Sequence, residues 1–176
     1  MTPQIPFTVR LATLTDAPVL SPFTARTFRE AFGANAPPDA MESYLAQSFP
    51  EEVVRRELGD PAAVFLLAEM PDATIAGYLK LFFGDPLPGV RGTNPVKLWR
   101  LYTASEFQGR GVGTLLLTHG VGVTRERGGQ TLWLTVNTGN TGAVRFYERH
   151  GFTQTGFTTF DLGGALQTDF LMEREI

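Results

Sequence analysis

Residues 108–113 read Gln-Gly-Arg-Gly-Val-Gly and stand between an apolar strand and an amphipathic helix. No other stretch limits the fold as much. The first turn of a helix leaves backbone N–H groups without partners, and the helix dipole makes that end attractive to anions. Glycines keep side chains out of the way. Gly109, Gly111 and Gly113 therefore describe a main-chain cradle for a diphosphate, with Arg110 adding charge at its rim. A tight turn with close helix–strand packing is the plainer alternative. The segment does not match GxxxxGK[ST], and its glycine spacing misses the GxGxxG dinucleotide fingerprint. The helix that follows carries an apolar stripe at Val112, Leu115, Leu116, His119 and Val123, a spacing that suits packing on a sheet.

Around this unit the chain alternates strands and helices. Apolar alternation predicts strands over 7–12, 63–68, 74–83, 96–103, 131–136, 152–160 and 166–172. Helical spacing predicts helices over 17–32, 38–47, 50–58 and 112–127, and one from the polar 137–141 stretch to about 150. The Pro/Gly-rich stretch 85–95 is the widest break and reads as an insertion within one domain covering 1–176.

Composition removes several classes of function. The chain has no cysteine, so disulfides, thiolate nucleophiles and sulfur-ligated zinc are excluded. Two histidines, His119 and His150, cannot build a multi-histidine metal centre, and no metal is expected. A net charge of −3 gives no basic footprint for nucleic acid. No apolar run reaches the ~18–20 residues that span a bilayer, so no membrane partner is expected. Residues 1–15 lack a basic stretch followed by an apolar core, and the cytoplasm is the default location.

Gln108-x-x-Gly111-x-Gly113 resembles the Q/R-x-x-G-x-G/A signature of the GCN5-related N-acetyltransferases, preceded by Leu101-Tyr102-Thr103 at the family's hydrophobic-aromatic-small strand end. A second segment is similar independently: Leu132 to Asn137, then Asn140-x-x-Ala143-Val144-x-Phe146-Tyr147-x-x-x-Gly151-Phe152. Thr27 to Phe32, Phe160 to Gly164 and Gln167-Thr168-Asp169 look like the branch that includes the PaiA-type polyamine acetyltransferases. The resemblance implies an α/β fold: a mixed, mostly antiparallel sheet of six or seven strands, flanked by helices, with two central parallel strands splayed apart. It also implies acetyl-CoA as co-substrate. The diphosphate would sit on the amides of Gln108 to Thr114, Val112 included. The pantetheine arm would pair with Leu101, Tyr102 and Thr103, where Leu101 or Tyr102 offers an N–H to the thioester oxygen.

Acetyl transfer to an amine also needs a proton for the leaving thiolate and a group that takes one from the amine. Asn140, Val144 and Tyr147 share a helix face. From the residues alone, Asn140 is a helix cap and Tyr147 a packed aromatic. The resemblance makes Tyr147 the general acid and lets Asn140 bond the cofactor arm; a phenol stays protonated at neutral pH. Many relatives place a Glu on the signature strand, but Lys97 stands there in this chain. Glu30, Asp39 and Glu42 are candidate bases through water. Glu30, Phe32, Tyr78 and Trp99 are the candidate acceptor wall, although Tyr78 and Trp99 also suit core packing. Without cysteine, transfer proceeds by direct attack in a ternary complex. The implied acceptor is a small primary amine, a polyamine among the options, and the protein is a monomer or homodimer. A protein N-terminus or lysine as acceptor, and a silent acyl-CoA-binding module, stay open as other readings.

Overall fold

The computed structural model describes residues 7–34 and 36–176, so the reading of 1–15 falls partly outside it, as does residue 35 of the 33–38 loop. Seven strands form one sheet: β1 (Thr8–Leu11), β2 (Ala63–Glu69), β3 (Ile75–Phe82), β4 (Pro95–Thr103), β5 (Thr131–Asn137), β6 (Thr153–Leu162) and β7 (Ala165–Glu175). Their order is β1-β2-β3-β4-β5-β7-β6. All neighbours are antiparallel except β4 and β5. The helices are α1 (Ala17–Phe32), α2 (Pro38–Ser48), α3 (Glu51–Leu58), α4 (Val112–Glu126) and α5 (Thr141–Arg149). None of them is long and apolar enough to cross a membrane.

The expected splay is present. β4 and β5 pair only at Pro95–Thr131, Val96–Leu132 and Lys97–Trp133. Beyond Lys97 the two strands separate, and each keeps its partner on the other side. The edge of β4 that faces the gap is therefore open to a third hydrogen-bonding chain.

The register of β3 against β4 jumps from Lys80–Arg100 to Leu81–Leu98, which leaves Trp99 as a bulge. A bulge reverses the alternation of a strand. Leu98 consequently joins the core cluster beside α4, while Lys97, Arg100 and Tyr102 share the opposite face.

Two details differ from expectation. The helix face buried by α4 is Val112, Leu116, Leu117, Gly120, Val121 and Thr124, rotated from the expected stripe. His119 is exposed, with Nδ1 2.9 Å from the Leu115 carbonyl oxygen. Gly120 explains the rotation: a Cβ there would lie 3.0 Å from the Leu79 side chain, so the helix meets the sheet closest at a residue with no side chain. The closing strands also run longer than expected. Gly163 and Gly164, at φ +58° and +93°, supply the two left-handed positions of a tight hairpin and let pairing continue to Leu162–Ala165.

Phe28, Met41, Leu45, Phe49 and Leu162 form a second, smaller core, with Phe32, Tyr44, Tyr102 and Phe160 packed against it. It ties α1 and α2 to the tip of the β6–β7 hairpin, where Gly163 lies so close to Ala40 that a Cβ would stand 2.1 Å from its carbonyl oxygen.

Candidate active site

The splay opens into a cleft of about 800 Å³, part of it open solvent, lined by strands β4, β5, β6 and β7 and helices α1, α2 and α5. At its mouth α4 begins. Its N-cap, Gly111, has φ +82°, and no side chain caps the first turn. A Cβ built on Gly109 or Gly111 would meet nothing within 4 Å, so the turn borders free space. Gln108, Gly109, Arg110 and Gly111 are all exposed. A four-turn helix that presents uncapped amides to open space is suited to hold an anion.

The rest of the mouth is tied down from behind. The Gln108 amide lies 3.4 Å from the Thr103 carbonyl oxygen, and the Arg110 guanidinium stands 5.8 Å from the Phe107 ring. His150 ends α5 and bridges to α4: its Nε2 is 3.1 Å from the Thr114 hydroxyl and its Nδ1 2.7 Å from the Phe146 carbonyl oxygen. Gly113 faces the Phe146 ring. Asn140 accepts a hydrogen bond from the Ala143 N–H, so it caps α5 and also lines the cleft. Tyr147 sits two turns further in, packed edge-on against Phe146 and Phe152, and burial raises its pKa. Its phenol keeps its proton throughout the neutral range.

The opposite wall is aromatic. Phe28 stacks on Phe32 at 4.5 Å and on Tyr44 at 4.6 Å, and Phe160 meets Tyr44 edge-on at 5.4 Å. The floor is charged. Arg100 gives two hydrogen bonds to Glu57 of α3, at 2.6 and 3.2 Å, and Lys80 adds an ion pair to the same carboxylate at 2.9 Å. Lys80 also lies 3.8 Å above the Trp99 ring, and burial brings its pKa down to about 8. Lys97 is half-buried, 4.5 Å from the Trp99 ring and 5.0 Å from the Trp133 ring, with no carboxylate in ion-pair contact among the described residues.

On the far side of β5, Asp169 of β7 lies opposite Asn137 and lines the same cleft as Lys97. It is 5% exposed, and its Oδ1 has no hydrogen-bond partner. Burial raises its pKa to about 6, against the opposing pull of Thr135, Asn137 and Lys97.

The structure gathers most of the sequence-derived residues. Leu101, Tyr102, Asn140, Tyr147, Phe32 and Trp99 line the cleft, and Thr103 and residues 108–114 stand at its mouth. Four candidates lie elsewhere. Tyr78 is fully buried beneath Tyr102, 5.8 Å between ring centres, and forms part of the core. Glu30 accepts the Ser105 N–H at 3.1 Å and pairs with Arg26, so it braces the loop before the glycine turn. Asp39 and Glu42 are exposed on α2, where Glu42 pairs with Arg29. Phe28, Tyr44, Phe160, Thr135 and Asp169 line the cleft without having been singled out for it. Alternation within β7 is visible in the sequence, but only the pairing of Asn137 with Asp169 shows that the carboxylate meets this gap.

The acetyltransferase (GNAT) family model matches residues 25–152. An uncharacterized N-acetyltransferase of Lactobacillus delbrueckii is 31% identical over 161 residues, covering 92% of each chain. One of Mycobacterium tuberculosis is 31% identical over 163 residues, 93% of this chain and 99% of its own. Among solved structures, the PaiA N-acetyltransferase of Thermoplasma acidophilum in complex with coenzyme A superposes with a TM-score of 0.80. It is 20% identical, covering 97% of this chain and 99% of that one.

Proposed function

This chain belongs to the GNAT acetyltransferase family, and on that basis we propose that it moves the acetyl group of acetyl-CoA onto the primary amine of a small molecule. The observation that carries the proposal is the uncapped start of α4, with left-handed Gly111, at the open mouth of the β4–β5 gap. A diphosphate fits the amides of residues 108–114, and an amide-bearing arm fits the free edge of β4 at Leu101, Tyr102 and Thr103. When bound, acetyl-CoA supplies the thioester carbonyl and the leaving sulfur.

The protein's own groups supply the rest. Tyr147 holds a proton that its buried setting does not release to water, and it faces the cleft as the donor for a developing thiolate. An N–H of Leu101 or Tyr102 on the open edge stabilises a developing oxyanion, a contribution of ~3–4 kcal/mol for such a donor. Asn140 fixes the start of α5 and so the position of Tyr147. With no cysteine to take up the acetyl group, both substrates are present together.

The aromatic wall of Phe28, Tyr44 and Phe160 supports a small acceptor. α2 and the β6–β7 hairpin close over this side, where a polypeptide acceptor needs an open groove. Residues 1–176 read as one domain under this proposal. Calorimetric titration of the purified protein with CoA, followed by a thiol-release screen over small amines and peptides, tests it. Tight CoA binding and turnover of small amines are expected. Absence of CoA binding overturns the proposal, and turnover of peptides alone transfers it to a protein acceptor.

A further inference from the structure

The charges in the cleft and directly behind its floor are unevenly matched. Lys80 and Arg100 share the single carboxylate of Glu57, and both are buried. Lys97 has no ion-pair partner among the described residues and is boxed by the Trp99 and Trp133 rings. Asp169 is the only carboxylate among the lining residues, and one of its oxygens is buried without a partner. The other titratable groups of the lining are Tyr44 of α2, Arg100 and Tyr102 of β4 and Tyr147 of α5. The region thus holds three cations and two carboxylates. It also holds one ammonium without an ion pair and one carboxylate with an unpartnered oxygen, facing the same space from β4 and β7 but not in ion-pair contact.

Resting on the acetyltransferase reading, we propose that the acceptor is a zwitterion, a primary amine that also bears a carboxylate. Lys97 holds the acceptor's carboxylate, and Asp169 takes the proton its ammonium gives up. A di- or tri-cation would add positive charge to a cleft that already holds more cation than anion. An amino acid brings one charge of each sign and meets a fixed partner for each.

The remaining cations help the chemistry. Lys97 and Arg100 disfavour a bound ammonium, so the nitrogen gives up its proton more readily than in water. The proton steps balance. The ammonium passes one proton to Asp169. The freed lone pair forms the N–C bond to the acetyl carbonyl as the C–S bond breaks. Tyr147 protonates the departing sulfur, and the second proton shed by nitrogen restores Tyr147. Asp169 then releases its proton to solvent. A carboxylate held near 6 is mostly ionised at neutral pH yet more basic than an exposed one.

The test is a thiol-release assay on matched acceptors: a panel of amino acids, their carboxamides, and a diamine of similar length. We expect kcat/KM for the acids to exceed that for the carboxamides by at least tenfold. Lys97→Met removes this preference mainly through KM, Lys97→Arg retains much of it, and Lys97→Glu shifts it toward the diamine. Asp169→Asn, close to isosteric, lowers kcat at least a hundredfold and abolishes the rise in rate through pH 6. A readout that needs no turnover is calorimetric binding of N-acetylated amino acids, which Lys97→Met weakens and Asp169→Asn does not. Equal turnover of acids and carboxamides by the wild-type protein, with CoA binding intact, overturns this inference alone. Loss of CoA binding overturns the acetyltransferase reading beneath it.

Discussion

The Glu57 carboxylate receives both arms of the Arg100 guanidinium, at 2.6 and 3.2 Å, directly behind the floor of the cleft. The two residues come from a short helix and from the splayed strand, and Lys80 completes the cluster from the neighbouring strand. Removing one partner of a buried ion pair leaves the other uncompensated, at a cost of about 3–5 kcal/mol. Glu57→Gln should therefore lower the melting temperature by roughly 6–20 °C, at 2–4 °C per kcal/mol in a chain of this size. Burial pushes Glu57 up, but Arg100 and Lys80 together hold it below the ordinary glutamate value. Its contribution is thus present above the unfolded carboxylate pKa and is lost as pH falls through the lower folded value. Calorimetric scans across the acid range should show a weaker loss of stability with falling pH in the variant.

Asp169 has the opposite sign. Burial raises its folded pKa to about 6, above the unfolded value. Its neutral form stabilises the fold below the unfolded aspartate pKa, and that stabilisation disappears as pH rises through about 6. A shift of about two units corresponds to ~2–3 kcal/mol. Asp169→Asn should be the more stable protein at pH 7–8 and should lose the wild type's decline between pH 4 and 6, as read from chemical denaturation at each pH.

Tyr147→Phe keeps the ring against Phe146 and Phe152 and removes only the proton source. General acid catalysis of this kind is worth ~10²–10⁴-fold. We expect kcat to fall by about that range while CoA affinity, measured by calorimetry, stays within about twofold.

Gly111→Ala asks a residue with a Cβ to hold φ +82°, a strain of ~1–2 kcal/mol. The new Cβ meets no protein atom within 4 Å, so under the proposed function it intrudes on the space a diphosphate would take. CoA affinity should drop at least tenfold beyond what the loss of stability explains. Gly122→Ala on the same helix, also with nothing near its Cβ, is the control and should bind CoA normally.

Gly163→Ala places a Cβ against the Ala40 carbonyl oxygen at a left-handed position. The hairpin tip and α2 must then move apart. CoA binding should survive, while KM for the amine rises severalfold, because the disturbed contact closes the acceptor side and not the α4 turn.

Much of this architecture is legible along the chain. The glycine turn, the strand before it and the Asn140–Tyr147 face are local patterns, each set by backbone geometry within a dozen residues. What depends on register is not. Arg100 finds Glu57 from 43 residues away, and Asp169 reaches the cleft only because it lies opposite Asn137. The Trp99 bulge reverses which side chains face inward, and no period-two pattern announces it. Apolar spacing alone puts His119 on the packed stripe, because it does not show that α4 turns its glycine toward Leu79. Glu30 reads in sequence as a pocket carboxylate and instead braces Ser105, a contact 75 residues apart in sequence.

Under the proposed function the turn at residues 108–114 would hold its ligand with main-chain atoms, whereas the facing wall is made of side chains from α1, α2 and β6. The two halves therefore respond differently to genetic drift. Single substitutions cannot remove a peptide N–H unless they introduce proline, so the appetite for acetyl donors is buffered against most of them. Every exchange at Phe28, Tyr44 or Phe160 reshapes the opposing chamber, and descendants of such a chain can change what they acetylate without relearning where the acetyl group comes from.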